Sequence, residues 1–408
     1  MISLFVLLFF SQYVRAIDLP LDNYYSDTEY DTDSDVVEDA RLDTFSLIRK
    51  YGYPCEIHRV YTEDKYILEM HRIPSRRNSS SAPVVFLQHG LLSSSAEWVL
   101  MTPSRGLAYF LADAGYDVWM GNARGNTYSR RHVSLSPKST AFWRFSWHEI
   151  GYYDLPAMID YVLEESGASK IQYIGFSQGT TVFWVLMSTR PEYNKKVVAM
   201  QALAPVAYVG NIKSPLIKAL APFTNSLEIV LKLLGTNEIL PNGKINQLAG
   251  QSLCLEEAVT QALCTNLLFL ICGFNEEQLN KTMLPVVLGH TPAGASTRQL
   301  IHFGQLYKSK EFVRFDYGWI GNIHNYGTGR PPAYDLKLIR TPIFLHYADN
   351  DWLSTPTDVR KLADEIPTAI GMYRVPLAKF NHLDFVFAIN ATELIYTRLL
   401  KIMQQFVK

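Results

Sequence analysis

Short apolar runs and longer stretches of helical period take turns along most of this chain. Val84-Val85-Phe86-Leu87-Gln88, Ile171-Gln172-Tyr173-Ile174 and runs near Asp117 and Val197 read as strands buried on both faces. Thr102 to Ala114, Asp154 to Glu165 and Thr180 to Arg190 carry helical patterns between them. Such alternation predicts an α/β architecture built on a doubly wound, mostly parallel sheet, entered through a hairpin near Ile57 to Arg72. After Ala207 the pattern turns helical and irregular until about Asp335. Strand-like segments then return at Thr341-Pro342-Ile343-Phe344-Leu345-His346-Tyr347 and Met372-Tyr373-Arg374-Val375, with a last helix expected near Ala391 to Val407. Residues 208–335 are therefore expected to form a largely helical cap, inserted into a core made of 44–207 and 336–408.

The junction between the run at Ile171 and the helical stretch from Thr180 reads Gly175-Phe176-Ser177-Gln178-Gly179. A G-x-S-x-G pentapeptide at a strand-to-helix turn strains the serine and lifts its hydroxyl above the carboxyl edge of the sheet, which makes Ser177 a candidate nucleophile. A serine hydroxyl needs a general base, an acid to orient that base, and donors for the developing oxyanion. In α/β-hydrolases the chain order is Ser, then Asp or Glu, then His. The first carboxylates after the strand-like 342–347 run are Asp349 and Asp351, between which spacing does not choose, and only His382 lies downstream of both. One oxyanion donor should be the backbone N–H of Gln178, directly after the serine. The other should come from the loop after an earlier strand, where His89-Gly90-Leu91-Leu92 follows Val84–Gln88 and points to Leu91.

Further blocks add specificity. Tyr53-Pro54 with Glu56 leads into Val60-Tyr61-Thr62-Glu63-Asp64 and Tyr66-Ile67-Leu68, then Arg72-Ile73-Pro74; Gly121-Asn122, Arg124-Gly125-Asn126-Thr127 and Tyr153-Asp154-Leu155-Pro156-Ala157 follow. With Gln88 to Leu92, the serine elbow, Cys272-Gly273-Phe274-Asn275 and Asn381-His382-Leu383-Asp384-Phe385, the chain from Thr44 to Lys408 resembles the acid lipase family of α/β-hydrolases, which includes gastric and lysosomal acid lipases. The resemblance implies Ser177 as nucleophile, Asp351 as acid, His382 as base, Leu91 with Gln178 as the oxyanion pair, and a disulfide between Cys254 and Cys264 that leaves Cys272 free. It also implies a carboxylic ester hydrolase acting on neutral lipid esters such as triacylglycerols or cholesteryl esters. Two alternatives are a non-catalytic lipid-binding protein on a lipase scaffold and an esterase for small soluble esters; an intact catalytic set argues against the first. Pro215 to Phe223 and Leu227 to Leu234 are apolar with no second core to fill, which fits a lid that lines an acyl-chain channel and meets lipid at an interface. The chain departs from the family at Phe176, where vertebrate members usually carry His, at Lys65 in place of Gly, at Ser354-Thr355 in place of Ala-Asp, and at Cys55.

Charge and targeting sharpen the setting. An apolar stretch from Leu4 to Phe10, followed by Val14-Arg15-Ala16, has the form of a signal peptide over residues 1–16 and predicts a secreted or lysosomal protein without a membrane anchor. From Asp18 to Asp43 ten acidic residues face the single Arg41, so 17–43 is expected to be disordered or a short pro-segment. Without residues 1–43 the balance is 36 Lys and Arg against 29 Asp and Glu, masked by a whole-chain charge of −1. A mildly basic body suits contact with anionic lipid surfaces. Nothing points to nucleic acid, and the cysteine spacings match no metal-ligand pattern, so neither cofactor nor metal is expected. Asn78, Asn280 and Asn390 head glycosylation sequons.

Overall fold

The computed structural model describes residues 34–75, 82–220, 237–240 and 261–407. Eight strands cross the main sheet: β1 (Glu56–Tyr61), β2 (Tyr66–Ile73), β3 (Val84–Gln88), β4 (Asp117–Gly121), β5 (Ile171–Phe176), β6 (Val197–Leu203), β7 (Ile343–Tyr347) and β8 (Ala369–Arg374). They lie in the order β1-β2-β4-β3-β5-β6-β7-β8, and the two-residue strand Arg131–His132 pairs with the edge of β2. β2 runs antiparallel to β1 and β4, while every pairing from β4 to β8 is parallel. This is the doubly wound sheet that the alternating pattern predicts. Val85, Leu87, Val118, Met120 and Ile174 fill the core on one face, whereas Phe86, Trp119, Ile171 and Tyr173 fill it on the other. The central strands β3, β4 and β5 are therefore buried at every position, since successive side chains enter opposite layers, whereas the outer strands β1 and β8 alternate between partly buried and exposed.

Local departures from the sequence reading have local causes. The helix expected over Thr102 to Ala114 is broken at Gly106 into Thr102–Arg105 and Leu107–Asp113. A side chain at Gly106 would come within 2.9 Å of the Tyr109 ring and 3.0 Å of the Thr102 carbonyl, so the chain turns there on a glycine. An unforeseen helix, Pro356–Glu365, starts from a Thr355 cap that accepts the Asp358 N–H. Its inward face consists of little more than Asp358, Val359 and Leu362, too few apolar residues to mark it in the pattern. The last helix keeps close to its expected span, with a π-helical stretch over Thr392–Tyr396 running directly into Thr397–Gln404.

The end of the acidic segment departs from the expectation of a disordered tail. Ser34–Asp39 is a helix, Ala40 packs in the core, and the buried Asp39 accepts a hydrogen bond from Lys50 Nζ at 2.6 Å and another from the Tyr51 hydroxyl. A buried carboxylate with a cation and a hydroxyl partner stabilises order that composition alone argues against. The proposed signal peptide, most of the acidic segment, Asn78, Cys254 and the apolar stretch Leu227 to Leu234 lie outside the described residues.

Among the described residues, the chain between Leu203 and Ile343 adds no strand to the main sheet. It contributes helices at Pro215–Leu220, Gln261–Cys272, Leu284–His290, Thr297–Ser309 and Gly318–Tyr326, and a separate two-stranded sheet of Glu238–Ile239 and Ala295–Ser296. Among them, no helix is long and apolar enough to cross a membrane.

Candidate active site

Ser177 stands between β5 and the helix Gln178–Thr189, with φ 52° and ψ −118°. Such a conformation costs free energy at a non-glycine residue and persists because its surroundings fix it. The Ser177 N–H is held by the Leu203 carbonyl at 3.0 Å, and its own carbonyl accepts from Thr180 at 2.9 Å. Both flanking glycines are required by space: a Cβ at Gly175 would fall 2.7 Å from the Gly179 backbone, and one at Gly179 would fall 2.1 Å from the Gln88 carbonyl oxygen. The pentapeptide thus encodes a close crossing of β3, β5 and the following helix, with the serine at its apex.

His382 reaches this apex from the loop after β8. Its Nε2 lies 2.8 Å from Ser177 Oγ and its Nδ1 lies 2.8 Å from Asp351 Oδ2. Asp351 is fully buried in the loop after β7, and its other oxygen accepts the N–H groups of Leu353 at 2.9 Å and Ser354 at 2.7 Å. An ionised carboxylate has no proton to give, so Nδ1 carries the hydrogen and Nε2 is left to accept from the serine. Asp349 faces elsewhere, accepting from Arg374 Nε at 2.8 Å near the surface. The Ser354 departure leaves Asp351 unaffected, because the bond comes from backbone that any residue supplies. Phe176 sets its ring 5.1 Å from the His382 ring. Lys65 occupies its glycine-like position with φ 74°, a left-handed residue in the hairpin turn.

Gly90 passes close beside the serine: a Cβ there would lie 3.4 Å from Ser177 Cβ and 3.2 Å from the Phe176 ring. The next peptide unit, which carries the Leu91 N–H, is oriented by a residue whose role sequence reading did not foresee. His89 is buried; its Nε2 accepts the Ala123 N–H at 3.1 Å, so its Nδ1 bears the proton and donates to the Gly90 carbonyl at 2.7 Å. In a planar trans peptide the C=O of Gly90 and the N–H of Leu91 point opposite ways, so fixing one aims the other. On the other side of the serine, Gln178 Nε2 donates to Gln299 Oε1 at 2.7 Å, which ties the start of the helix Gln178–Thr189 to the helix Thr297–Ser309.

Burial holds the His89 imidazole down to about 4. An unfolded chain takes up that proton near pH 6.5, so this histidine contributes stability that is present above pH 6.5 and lost as pH falls toward 4. His89→Gln, which keeps a donor without a titrating ring, should weaken the fall in unfolding temperature between pH 6.5 and 4. Thermal melts across that range check it; an unchanged slope would place the acid sensitivity in other groups.

Two further buried histidines serve the scaffold. His302 stacks on Trp147 with ring centroids 3.7 Å apart and bonds the Val313 carbonyl, while His346 bonds Gln201 Oε1 at 2.8 Å. Cys55 and Cys272 are free and buried. The Cys254–Cys264 pairing lies outside the described residues.

A strand-borne serine elbow, a histidine and a buried carboxylate in one hydrogen-bonded line on a doubly wound sheet define a serine hydrolase of the α/β-hydrolase class. Residues 44–102 match the family described as the partial alpha/beta-hydrolase lipase region, and residues 83–387 match the alpha/beta hydrolase fold. Relatives include Lipase 3 of Drosophila melanogaster, 49% identical over 87% of this chain and 91% of that protein. Gastric triacylglycerol lipase of Mus musculus is 40% identical over 90% of this chain and 93% of its own length. A putative lipase from Sulfolobus solfataricus shares the fold, with a TM-score of 0.60 at 15% identity, covering 86% of this chain and 94% of that one. The chain belongs to the lipase family of α/β-hydrolases and is a carboxylic ester hydrolase.

Proposed function

We propose that this lipase cleaves neutral lipid esters, such as triacylglycerols or cholesteryl esters, through an acyl-enzyme on Ser177. His382 takes the serine proton and passes it to the departing alcohol, Asp351 holds the imidazole in the tautomer that accepts, and the N–H groups of Leu91 and Gln178 receive the oxyanion. Water then enters by the same route and releases the acid. The observation that carries this reading is the unbroken line from Asp351 through His382 to Ser177, at 2.8 Å per contact. The relatives' names add the substrate class, since a gastric triacylglycerol lipase is among them.

Residues 208–335 are proposed as a cap over the catalytic edge. The helices between Leu203 and Ile343 support it, as does the Gln178–Gln299 bond beneath them. In this region the helix Gly318–Tyr326 leaves Trp319 and Ile320 70% and 77% exposed, while Asn322 is buried. A tryptophan and an isoleucine held out in water suit contact with a lipid–water interface. Secretion or lysosomal delivery is proposed on the apolar Leu4 to Phe10 segment and on the sequons at Asn280 and the exposed Asn390. The N-terminus of the mature chain tests it.

The deciding assay is a panel of triacylglycerols, cholesteryl esters and short soluble esters from pH 4 to 8, each with and without an emulsion. Activity on the long-chain esters should rise sharply once substrate passes from monomer to emulsion. Trp319→Ser with Ile320→Ser should blunt that rise while sparing the soluble ester. Equal losses on both substrates would assign these residues to the fold alone, and a preference for soluble esters would replace the lipid reading.

A further inference from the structure

The four residues Cys272 to Asn275 end the helix Gln261–Cys272, and each binds a loop that carries a member of the acid–base pair. The Cys272 carbonyl accepts from the N–H of Trp352, next to Asp351, at 3.3 Å and from the N–H of His382 itself at 3.4 Å. The Gly273 carbonyl accepts from Asn381 Nδ2 at 3.0 Å, and the Phe274 carbonyl from Asn350 Nδ2 at 2.9 Å. Gly273 has φ 111°, and a Cβ there would lie 2.2 Å from the Asn350 carbonyl oxygen, so the segment presses directly on the acid loop. The fourth contact is made by a side chain. Asn275, 1% exposed, donates through Nδ2 to Asp384 Oδ2 at 2.6 Å, and the same oxygen takes the Asn381 N–H at 2.7 Å. The other Asn275 atom, Oδ1, has no hydrogen-bond partner among the described residues, so the contact to Asp384 is what fixes this amide.

We propose that Asn275 is a positioning residue, which clamps the loop bearing His382 to the end of the helix Gln261–Cys272 through Asp384, so that this helix and the acid–base pair move as one body. The proposal rests on the assignment of Ser177, His382 and Asp351 above. It accounts for a buried amide that donates to a buried carboxylate when either group alone would be costly to desolvate. It also implies that displacement of the helix disturbs the imidazole without touching it, since both peptide contacts of Cys272 would move with the Asn275 clamp. Around the clamp the titrating groups are Asp384 and His382 on the base loop, Asp351 on the acid loop and Cys272 at the helix end. Glu277 and Lys379 pair with each other on the surface at 2.7 Å. Burial pushes the Asp384 carboxyl up to about 6.

Two variants test the clamp on one soluble ester. Asn275→Ala should lower kcat by about tenfold or more with KM changed less than twofold, and should slow fluorophosphonate labelling of Ser177 in proportion. Asn275→Asp places a second carboxyl against Asp384. While the two share one proton, the new side chain donates as the amide does; once both ionise they repel and release the loop. Its turnover relative to the parent should therefore be highest near pH 5 and fall at least tenfold by pH 8, reversibly in the same sample. A pH profile parallel to the parent's, or Asn275→Ala with kcat within twofold of it, overturns the proposal. Mapping the label separates the two readings: label on a residue other than Ser177 in the parent overturns the underlying assignment and the clamp with it. Label on Ser177 at the parental rate in Asn275→Ala overturns the clamp alone.

Discussion

Ser177→Ala abolishes ester hydrolysis and leaves a folded protein: that is the largest effect expected from any single substitution here. The Oγ is the only atom at the elbow apex in line with His382 Nε2, at 2.8 Å, and its loss removes the acyl-enzyme route altogether. Losing a serine nucleophile from such a constellation costs on the order of 10⁶ in turnover. What remains is stabilisation from the oxyanion donors and from binding. The fold should hardly notice. The strained backbone at φ 52° is borne by alanine as by serine, and the glycines that permit the close crossing are untouched. Circular dichroism and thermal melts should match the parent, and covalent labelling by a fluorophosphonate should vanish. Full-strength labelling in the variant would place the nucleophile elsewhere.

Where function was legible in the sequence, the chemistry was written into local spacing or chain order. Gly175-Phe176-Ser177-Gln178-Gly179 announced itself because steric need and strand-to-helix context fall within five residues. His382 followed from being the only histidine beyond the carboxylates. The central strands were equally readable, since burial on both faces demands continuous apolar runs. The residues that act through other residues were not readable. His89 matters through the peptide plane it fixes, Gln299 through a side chain 121 positions away, and Asn275 through a carboxylate 109 positions away. His89 and Asn275 stand in blocks that carry the family resemblance, but the bonds that give them their roles leave no period, and those of Gln299 and Asn275 exist only once the helices between β6 and β7 have folded against the sheet edge. The described end of the acidic segment, from Ser34 on, misled for the opposite reason. Its composition describes solvated chain, but there one buried carboxylate, Asp39, with Lys50 and Tyr51 as partners, outweighs the average.

Separating Asp349 from Asp351 is the sharper test of the site. Both follow β7 and flank Asn350, and chain order alone left them equivalent. Their surroundings are not. Asp351 is fully buried, with one oxygen on His382 Nδ1 at 2.8 Å and the other on two backbone N–H groups, whereas Asp349 is partly exposed and occupied with Arg374. In Asp351→Asn the new side chain can still accept the Leu353 and Ser354 N–H groups through its oxygen, so the loop should keep its shape. Its amide nitrogen then faces His382 as a donor. The imidazole must answer by accepting at Nδ1 and placing its proton on Nε2, where it points at Ser177 and can no longer take the serine proton. A loss on the order of 10⁴ in turnover follows from that tautomer change. Asp349→Asn gives up an exposed ion pair worth at most about 1 kcal/mol and should keep most of its activity. Kinetics of both purified variants on one soluble ester, with melts to show that each is folded, decide between them. A severe defect confined to Asp349→Asn would reverse the assignment, and equal mild defects would mean that the orienting acid lies outside this loop.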